Sequence, residues 1–297
     1  MNIGYDLENE NGVFCNLFLL LSTYIYCRKN NKKLLIKDDK WNYTHTNGLA
    51  DYFKPNDYYE ICNEPISSNI VFYHAPRIGI GLKEIIHTHT LNDYRHTIKE
   101  FYILNNNIYT QLEKYKNKIN LPKEYNSIFV RCGDKLIYES KYYKCNYYID
   151  YLLNLKTKCN NLFIHSDDNN VVKQYIKYIN DNKLDFNIYY ITEEIDNGGT
   201  TVRSSLKHPM ICSIKCVDEM NNIELKNHTE KMLCAIEIMK KSKNVILDYQ
   251  SNVSRFIKLY FDCNVHTIFY NNQLELNKEF DNHKSGMKLF PGHGAGL

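Results

Sequence analysis

An apolar run passes directly into a polar turn at Ser127-Ile128-Phe129-Val130-Arg131-Cys132-Gly133-Asp134-Lys135. The apolar part is typical of a buried strand, and Gly133 allows a tight turn directly after it. Arg131 stands at the strand end, where its planar guanidinium can point into a crevice and suits a pair of phosphate oxygens. Asp134 and Lys135 could hold each other and the loop. The alternative interpretation of the stretch is a strand end capped by a salt bridge.

Strands and helices alternate along the chain on both sides of this stretch. After Pro122 the pattern predicts strands at 127–131, 161–165, 186–190 and 244–247, and helices at 147–155, 169–180, 229–242 and 252–260. Before Pro122 it predicts a helix at 13–28, strands at 33–36 and 69–73, and a helical region at 92–118. Alternation of this kind predicts an α/β fold, with parallel sheets covered by helices on both faces.

The length of 297 residues suits two domains of ordinary size. We predict an N-terminal α/β domain at 1–120, a C-terminal Rossmann-like domain at 121–285 and a flexible Gly-rich tail at 286–297. The polar stretch at 193–224 contains Asn197-Gly198-Gly199 and is predicted to be a long loop that could act as a lid.

Composition argues against several classes of function. The formal net charge is only +3, so no overall basic field points to nucleic acid. The N-terminus has no basic region leading into an apolar run, as a secretory signal would, and the apolar stretch from Val13 to Tyr26 is too short to span a bilayer. We therefore expect a cytoplasmic protein without a membrane span. Heavy use of Asn, Lys, Ile and Tyr indicates an AT-rich coding sequence, as in some large DNA viruses and protists.

The ten cysteines do not form a zinc pattern. Cys212 and Cys216 are the only close pair, and no second pair or histidine cluster completes a ligand set. In a cytoplasmic protein we expect most of these cysteines to be reduced core residues. No metal or other cofactor is predicted.

Two further polar clusters follow predicted strands. Ser166-Asp167-Asp168 comes directly after one strand, and Asp248 to Arg255 links another strand to a helix. In parallel sheets ligands bind beyond the carboxyl ends of the strands, so these clusters and Arg131 are expected to converge on one site. Each cluster has an alternative interpretation as a helix cap; for Asp167 and Asp168 we expect one cap and leave ligand contact open for the other. The D-x-D signature of a metal-bound diphosphate sugar is absent at this position.

Single residues around these clusters have candidate roles. Glu139 is placed to act as a general base for an acceptor hydroxyl, with Lys135 to hold it; the alternative is a solvated loop carboxylate. Backbone N–H groups at a helix N-terminus beside Ser251 form a natural diphosphate site, which Arg255 could support, unless they are an ordinary cap. Glu237 could accept the N1–H and N2–H₂ of guanine, although a surface glutamate is the commoner case.

Together the motifs resemble α1,6-fucosyltransferases and their relatives, the nodulation and protein O-fucosyltransferases. Their strand–turn motif reads H-V-R-R-T-D-K with a Glu four residues after the Lys; here Phe129 to Lys135 and Glu139 have the same spacing. The resemblance implies a GT-B fold of two Rossmann-like domains with the site in the cleft between them. It also implies an inverting, metal-independent enzyme using GDP-fucose, in which Arg131 binds the diphosphate and Glu139, assisted by Lys135, is the base.

Other motifs of the family also have counterparts in this chain. T-D-D matches Ser166-Asp167-Asp168, and S-S-Q-V-C-R matches Gln250-Ser251-Asn252-Val253-Ser254-Arg255, which implies a phosphate contact by Ser251. D-I-H-F-L-S is similar to Glu237-Ile238-Met239-Lys240-Lys241-Ser242, which implies that Glu237 reads guanine. G-x-G-C-Q is similar to Gly12-Val13-Phe14-Cys15-Asn16, and N-W-R-Y to Lys40-Trp41-Asn42-Tyr43, which implies donor contacts by Asn16 and Tyr43.

The chain departs from the family pattern at three positions. Phe129 replaces a histidine that helps to hold guanine, Gly133 replaces Thr, and Glu237 replaces Asp. The expected reaction is transfer of fucose from GDP-fucose to a glycan hydroxyl, so the expected partners are a nucleotide sugar and a glycan acceptor. The alternatives are another nucleotide-sugar donor on the same fold, or a non-catalytic protein that binds glycans or nucleotides.

Overall fold

The computed structural model describes residues 3–7, 12–57, 59–62, 71–74, 89–132, 144–196, 198–201, 215–248 and 251–268. This part of the chain forms two compact units, one up to Asn106 and one from Asn107 onward. Each unit is built on its own parallel sheet with helices, so the predicted α/β class is confirmed. The finer domain limits at 120 and 285 stay a prediction, and the tail at 286–297 lies outside the described residues.

The first unit contains a four-stranded parallel sheet. Its described elements are β1 (Ile3–Asp6), α1 (Val13–Lys29), β2 (Leu34–Lys37), β3 (Tyr59–Ile61), β4 (Val71–His74) and α2 (Leu91–Phe101). The strands lie in the order β3-β2-β1-β4, with Ile3 beside Leu34 on one side and Val71 on the other. The N-terminal strand β1 is therefore central, although its short sequence gave no signal of this.

Helix α1 is buried along most of its length, which explains its apolar sequence. Ser22 Oγ donates to the Phe18 carbonyl over 2.7 Å and lies 2.7 Å from the Tyr94 hydroxyl of α2, so its polar group is satisfied inside the core. Ion pairs of Arg28 with Glu100 and of Lys29 with Asp93 join the ends of the same two helices. Among the described residues, no helix is both long and apolar enough to cross a membrane.

The second unit contains a five-stranded parallel sheet. Its described elements are α3 (Asn106–Lys118), β5 (Asn126–Val130), α4 (Cys145–Asn154), β6 (Asn161–Ser166), α5 (Asn169–Asp181), β7 (Asn187–Tyr189), β8 (Thr200–Thr201), β9 (Lys215–Cys216), α6 (Asn222–Lys240), β10 (Asn244–Asp248), α7 (Asn252–Tyr260) and β11 (Asn264–Ile268). The strand order is β11-β10-β5-β6-β7, and β8 pairs separately with β9. The motif strand β5 thus lies at the centre, and all five of its residues are buried.

Alternate residues of β5 and β6 face opposite sides of this sheet. Ile128 and Val130 join Ile164 in a core shared with α4 and α5. On the other face the rings of Phe129 and His165, which are register partners, stack 6.1 Å apart at an interplanar angle of 24°. The sheet is therefore covered on both faces, as the continuous apolar run at 128–130 indicated.

Most predicted elements are present, with ends shifted by no more than two residues. The helix predicted from Thr229 is wrong at its start, since α6 begins at Asn222. Asn221 Oδ1 accepts the N–H groups of Ile223 and Glu224, and the Glu224 carboxylate accepts the Asn221 N–H over 3.1 Å. This capping box extends the helix into the stretch that was predicted to be a loop.

The helical region at 92–118 consists of two helices, α2 and α3, separated at 102–105. All nine cysteines in the described part of the chain are free of disulfides, and Cys212 lies outside it. Five of these nine, Cys27, Cys132, Cys159, Cys216 and Cys234, are buried, and the other four are partly buried.

A buried carboxylate organises the loop after β2. Asp38 Oδ2 accepts the Leu49 N–H over 2.8 Å. Burial raises the pKa of Asp38 above its ordinary value, and the hydrogen bond from Leu49 partly offsets this rise. Gly48 passes directly over the carboxylate with a φ of 59°, and a Cβ there would collide with the Asp38 carboxylate. Glycine is required because both the left-handed backbone and the lack of space exclude a side chain.

Replacing Gly48 by Ala should destabilise the protein by about 2 kcal/mol or more, because the left-handed conformation and the displaced buried acceptor both contribute. Urea unfolding of Gly48→Ala, Asp38→Ala and the double variant measures this. Since removal of the carboxylate relieves the collision, the double variant should lose less than the sum of the single losses. Strictly additive losses would contradict the collision.

Burial also affects the His165 imidazole. The pKa of His165 is lowered from an ordinary value near 6.5 to about 3, mainly by burial and also by nearby Lys231 and His228, against the opposing effect of Asp196. Because the pKa of His165 is lower in the folded state, the unfolded chain binds the proton at a higher pH than the folded chain. The stability contributed by the neutral ring is therefore complete above about pH 6.5 and is lost as the pH falls toward 3.

Between pH 7 and pH 5, wild type should lose about 2 kcal/mol more unfolding free energy than His165→Gln, because only wild type must keep this ring uncharged. Denaturant unfolding at the two pH values gives the difference. His96→Gln serves as control, since the His96 side chain is 74% exposed. Equal pH dependence of wild type and His165→Gln would show that His165 titrates as in the unfolded chain.

Candidate functional site

Arg131 follows β5 at the carboxyl edge of the central sheet. Its guanidinium forms an ion pair with Asp167, which follows the neighbouring strand β6. Nη1 also donates to Thr200 Oγ1 and Nη2 to the Thr200 carbonyl, each over 3.1 Å. The side chain is thus fixed by groups from two other segments, and the salt bridge that caps the strand end is made with Asp167.

Asp167 accepts three hydrogen bonds besides its ion pair with Arg131. Its Oδ1 accepts the Cys132 N–H over 2.7 Å, and its Oδ2 accepts the Thr200 N–H over 3.1 Å and the Thr200 hydroxyl over 3.2 Å. Together with Arg131, these donors surround both carboxylate oxygens. Asp167 therefore joins the turn after β5 to strand β8, and its role is to hold Arg131.

The neighbouring Asp168 is the N-cap of α5. Its Oδ1 accepts the Asn170 N–H over 2.9 Å and the Gly198 N–H over 3.0 Å. Ser166 Oγ accepts the Asp168 N–H over 3.1 Å, which fixes the turn between strand and helix. The sequence predicted one cap in this cluster; the cap is Asp168, while Asp167 pairs with the arginine.

The Cys132 thiol lies buried among these charges. Its pKa is raised to about 12, mainly by burial and also by Asp168 and Asp248, whereas the Ser166 hydroxyl and Arg131 lower it. These influences show that the ends of β5, β6 and β10 are close enough to interact, as parallel topology requires. The thiol stays protonated at neutral pH and is no nucleophile.

Ser251 caps helix α7 after β10. Its Oγ accepts the Ser254 N–H over 3.1 Å and lies 2.8 Å from Ser254 Oγ. Arg255 is buried, and its Nη1 donates to Asn252 Oδ1 over 2.9 Å. The interpretation as a cap is therefore correct, and it is compatible with anion binding because the amide dipoles of a helix N-terminus point toward the carboxyl edge of the sheet.

Glu237 lies elsewhere in the second unit. It is in the last turn of α6, and its carboxylate accepts the hydroxyl of Tyr260, the last residue of α7, over 3.1 Å. Both helices lead into strands, so their ends lie at the edge of the sheet where strands begin. Burial raises the pKa of Glu237, which the positive charge of Lys240 partly offsets. The structure does not bring Glu237 together with Arg131.

Phe129 is buried in the second unit, where it stacks on His165. Asn16 and Tyr43 are buried in the first unit; the Tyr43 carbonyl accepts the Tyr52 hydroxyl over 2.8 Å. Gly133, Asp134, Lys135 and Glu139 lie outside the described residues.

Thr200 is a site residue that sequence reasoning missed. It contacts both Arg131 and Asp167, yet it lies within the stretch predicted to be a loop. The available signal was the pair Gly198-Gly199, whose φ values of 88° and 74° turn the backbone toward the following β-branched residues. Over the described ranges, no group of three or more His, Cys, Asp or Glu side chains could hold a metal ion.

The comparison of this structure with solved structures finds fucosyltransferases. NodZ α1,6-fucosyltransferase soaked with GDP-fucose matches with a TM-score of 0.60 and 12% identity over 92% of this chain and 97% of that chain. POFUT1 in complex with GDP matches with a TM-score of 0.53 and 9% identity over 91% and 98%. A variant of FUT1 from Arabidopsis thaliana in complex with GDP matches with a TM-score of 0.52 and 8% identity over 91% and 71%.

No protein-family model and no curated protein sequence matches this chain. The structural similarity spans nearly the whole chain, and at such low identity it establishes the fold and not the reaction. The fold implied by the strand–turn motif is therefore confirmed: the chain has the α/β fold of GT-B type shared by these fucosyltransferases.

Proposed function

We propose that this chain is a glycosyltransferase that transfers fucose from GDP-fucose to a glycan hydroxyl. The observation that carries the proposal is the fixed guanidinium of Arg131 at the carboxyl edge of the central parallel sheet, the edge to which the capped N-terminus of α7 also points. Together they suit a nucleoside diphosphate. Support comes from the shared fold, since NodZ was soaked with GDP-fucose and POFUT1 was in complex with GDP.

The proposed reaction is a single inverting displacement without a metal ion. Glu139 takes the proton from the acceptor hydroxyl, whose oxygen forms a bond to the anomeric carbon. The bond from that carbon to the diphosphate oxygen breaks at the same time, and GDP leaves with the electron pair. Arg131 and the amide groups at the start of α7 stabilise the charge that develops on the leaving diphosphate, and Lys135 assists Glu139.

Other predicted residues complete the proposed site. By the family resemblance, Tyr43 and Asn16 would also contact the donor. Ser251 and Asn252 would present backbone amides to the phosphates, while Arg255 supports that turn through its contact with Asn252. Glu237 has the weakest case for reading guanine, because its carboxylate is already bound to Tyr260 near the opposite edge of the sheet.

A specific observation favours a second donor. Phe129, at the head of the motif, offers a buried apolar ring that cannot accept or donate a hydrogen bond to guanine. The same fold with another nucleotide sugar is therefore the second candidate. Isothermal titration with GDP-fucose, GDP-mannose, UDP-sugars and dTDP-sugars separates the two, and a chain that binds a nucleotide but transfers no sugar would be a binding protein instead.

Arg131→Lys should weaken GDP binding about tenfold or more, because an ammonium group cannot make the paired hydrogen bonds of the guanidinium fork. Titration calorimetry gives the dissociation constants, and thermal unfolding checks that the fold persists. Arg28→Lys is the matched control: it makes the same change at an ion pair with Glu100 in the first unit. Unchanged affinity of Arg131→Lys would remove Arg131 from the phosphate site.

Glu139→Gln should abolish sugar transfer and leave GDP-fucose affinity within about twofold, because the amide cannot take a proton. Transfer is followed by release of GDP in buffer containing EDTA, which also tests independence from metal ions. Glu194→Gln is the control, since this carboxylate is exposed and pairs only weakly with Lys173 at 3.2 Å. Transfer at the wild-type rate by Glu139→Gln would assign the base to another residue.

A further inference from the structure

The stretch Thr192–Thr201, here called the crossing segment and described except for Asn197, passes over the carboxyl ends of β5 and β6. Thr192 Oγ1 donates to the Ser166 carbonyl over 3.1 Å at one end of the segment. Further along, the Gly198 N–H binds Asp168 and the Thr200 N–H binds Asp167. Thr200 then supplies two of the oxygens that accept hydrogen bonds from Arg131. The position of the crossing segment therefore sets the orientation of the guanidinium.

Lys231 fixes the start of the crossing segment to helix α6. Its side chain is only 10% exposed, and its Nζ lies 3.0 Å from Glu193 Oε2 and 2.7 Å from Asp196 Oδ2. Lys118 of α3 binds the other oxygen of Glu193 over 2.9 Å. The Glu193 N–H in turn donates to Asp196 Oδ2 over 2.8 Å. One nearly buried ammonium group thus holds two carboxylates of the same turn.

The pair of Lys231 with Asp196 is shielded from solvent, with side chains 10% and 15% exposed, so it is screened less than the other ion pairs of the segment. Lys173 pairs with Glu194 at 3.2 Å, but their side chains are 54% and 86% exposed, and such pairs contribute little. Removal of the Lys231 charge would leave the Glu193 and Asp196 carboxylates close together, with Lys118 alone to balance them. The turn would move, because the Asp196 side chain is only 15% exposed and would lose its ammonium partner.

We propose that Lys231 is a positioning residue for Arg131. By holding Glu193 and Asp196 it fixes the crossing segment. Thr200 of that segment then orients the guanidinium before a nucleoside diphosphate binds. The consequence for ligand binding rests on the proposed function, whereas the coupling between Lys231 and Thr200 does not. Preorganised donors of this kind bind a diphosphate more tightly, because they need no rearrangement when charge arrives. No motif in the sequence marks Lys231, which makes its contacts to the segment only after folding.

The experiment compares Lys231→Met with Lys173→Met, which removes the exposed lysine that touches the same segment. Hydrogen exchange of the nucleotide-free protein should be accelerated about tenfold or more at the amides of Gly198 and Thr200 in Lys231→Met, and remain within about twofold in Lys173→Met. GDP-fucose affinity should fall about tenfold in Lys231→Met alone, since small displacements of a binding group have large effects. Lys231→Arg, which keeps the charge, should restore most of both properties.

A double-mutant cycle separates positioning from general destabilisation. If Lys231 acts through Thr200, the effect of Lys231→Met on GDP-fucose affinity should be smaller in a Thr200→Ala background, which loses the hydroxyl contact to Arg131 and keeps the carbonyl contact. Multiplying effects, or unchanged exchange at Thr200 in Lys231→Met, would overturn the proposal. If Lys231→Met fails to fold, Asp196→Asn removes one of the two carboxylate contacts and must show the same pattern. A wild-type chain that binds no nucleotide sugar would refute the proposed function, while the exchange measurements would still decide the coupling.

Discussion

The ion pair between Arg131 and Asp167 is the interaction on which the carboxyl edge of the second unit depends. It joins the ends of two adjacent strands, and through Asp167 it also fixes the Cys132 amide and Thr200. Both partners are largely buried, so loss of either would leave an uncompensated charge at a cost of about 3–5 kcal/mol. Asp167 therefore fixes the backbone at Cys132 and the crossing segment together.

This pairing also constrains how an anion could bind. Because Asp167 neutralises Arg131 and two more carboxylates, Asp168 and Asp248, lie near the same strand ends, the described side chains alone offer little net positive charge. A diphosphate at this edge would depend on directional hydrogen bonds from Arg131 and on the dipole of α7 more than on charge excess. The orientation of the guanidinium then matters more than its charge. The proposed positioning by Lys231 would therefore affect binding.

Local signals were sufficient for much of this fold. Helix α7 was predicted with both ends correct, because Ser251 is a cap and the apolar residues after it follow helical spacing. The strand before Arg131 was equally clear. The prediction failed where the structure depends on a short strand or on residues far apart along the chain. Strand β1 is placed only by its pairing with β2 and β4, and Thr200 contacts Arg131 across a separation of 69 residues. Glu237 matched a motif, yet its surroundings depend on where α7 ends, which spacing along the chain does not reveal.

The strand order of the second unit has a consequence for its folding. Central strand β5 has β6 on one side, but its other neighbour is β10, so that Ile128 lies beside Ile246. Such distant pairing raises the contact order, and sheets of high contact order form slowly. During synthesis the unit has no complete core until the ribosome has made the chain through Asp248, and until then one edge of an apolar strand is open to association with other chains. The edge of β5 that faces β10 therefore stays without its partner strand until late in synthesis.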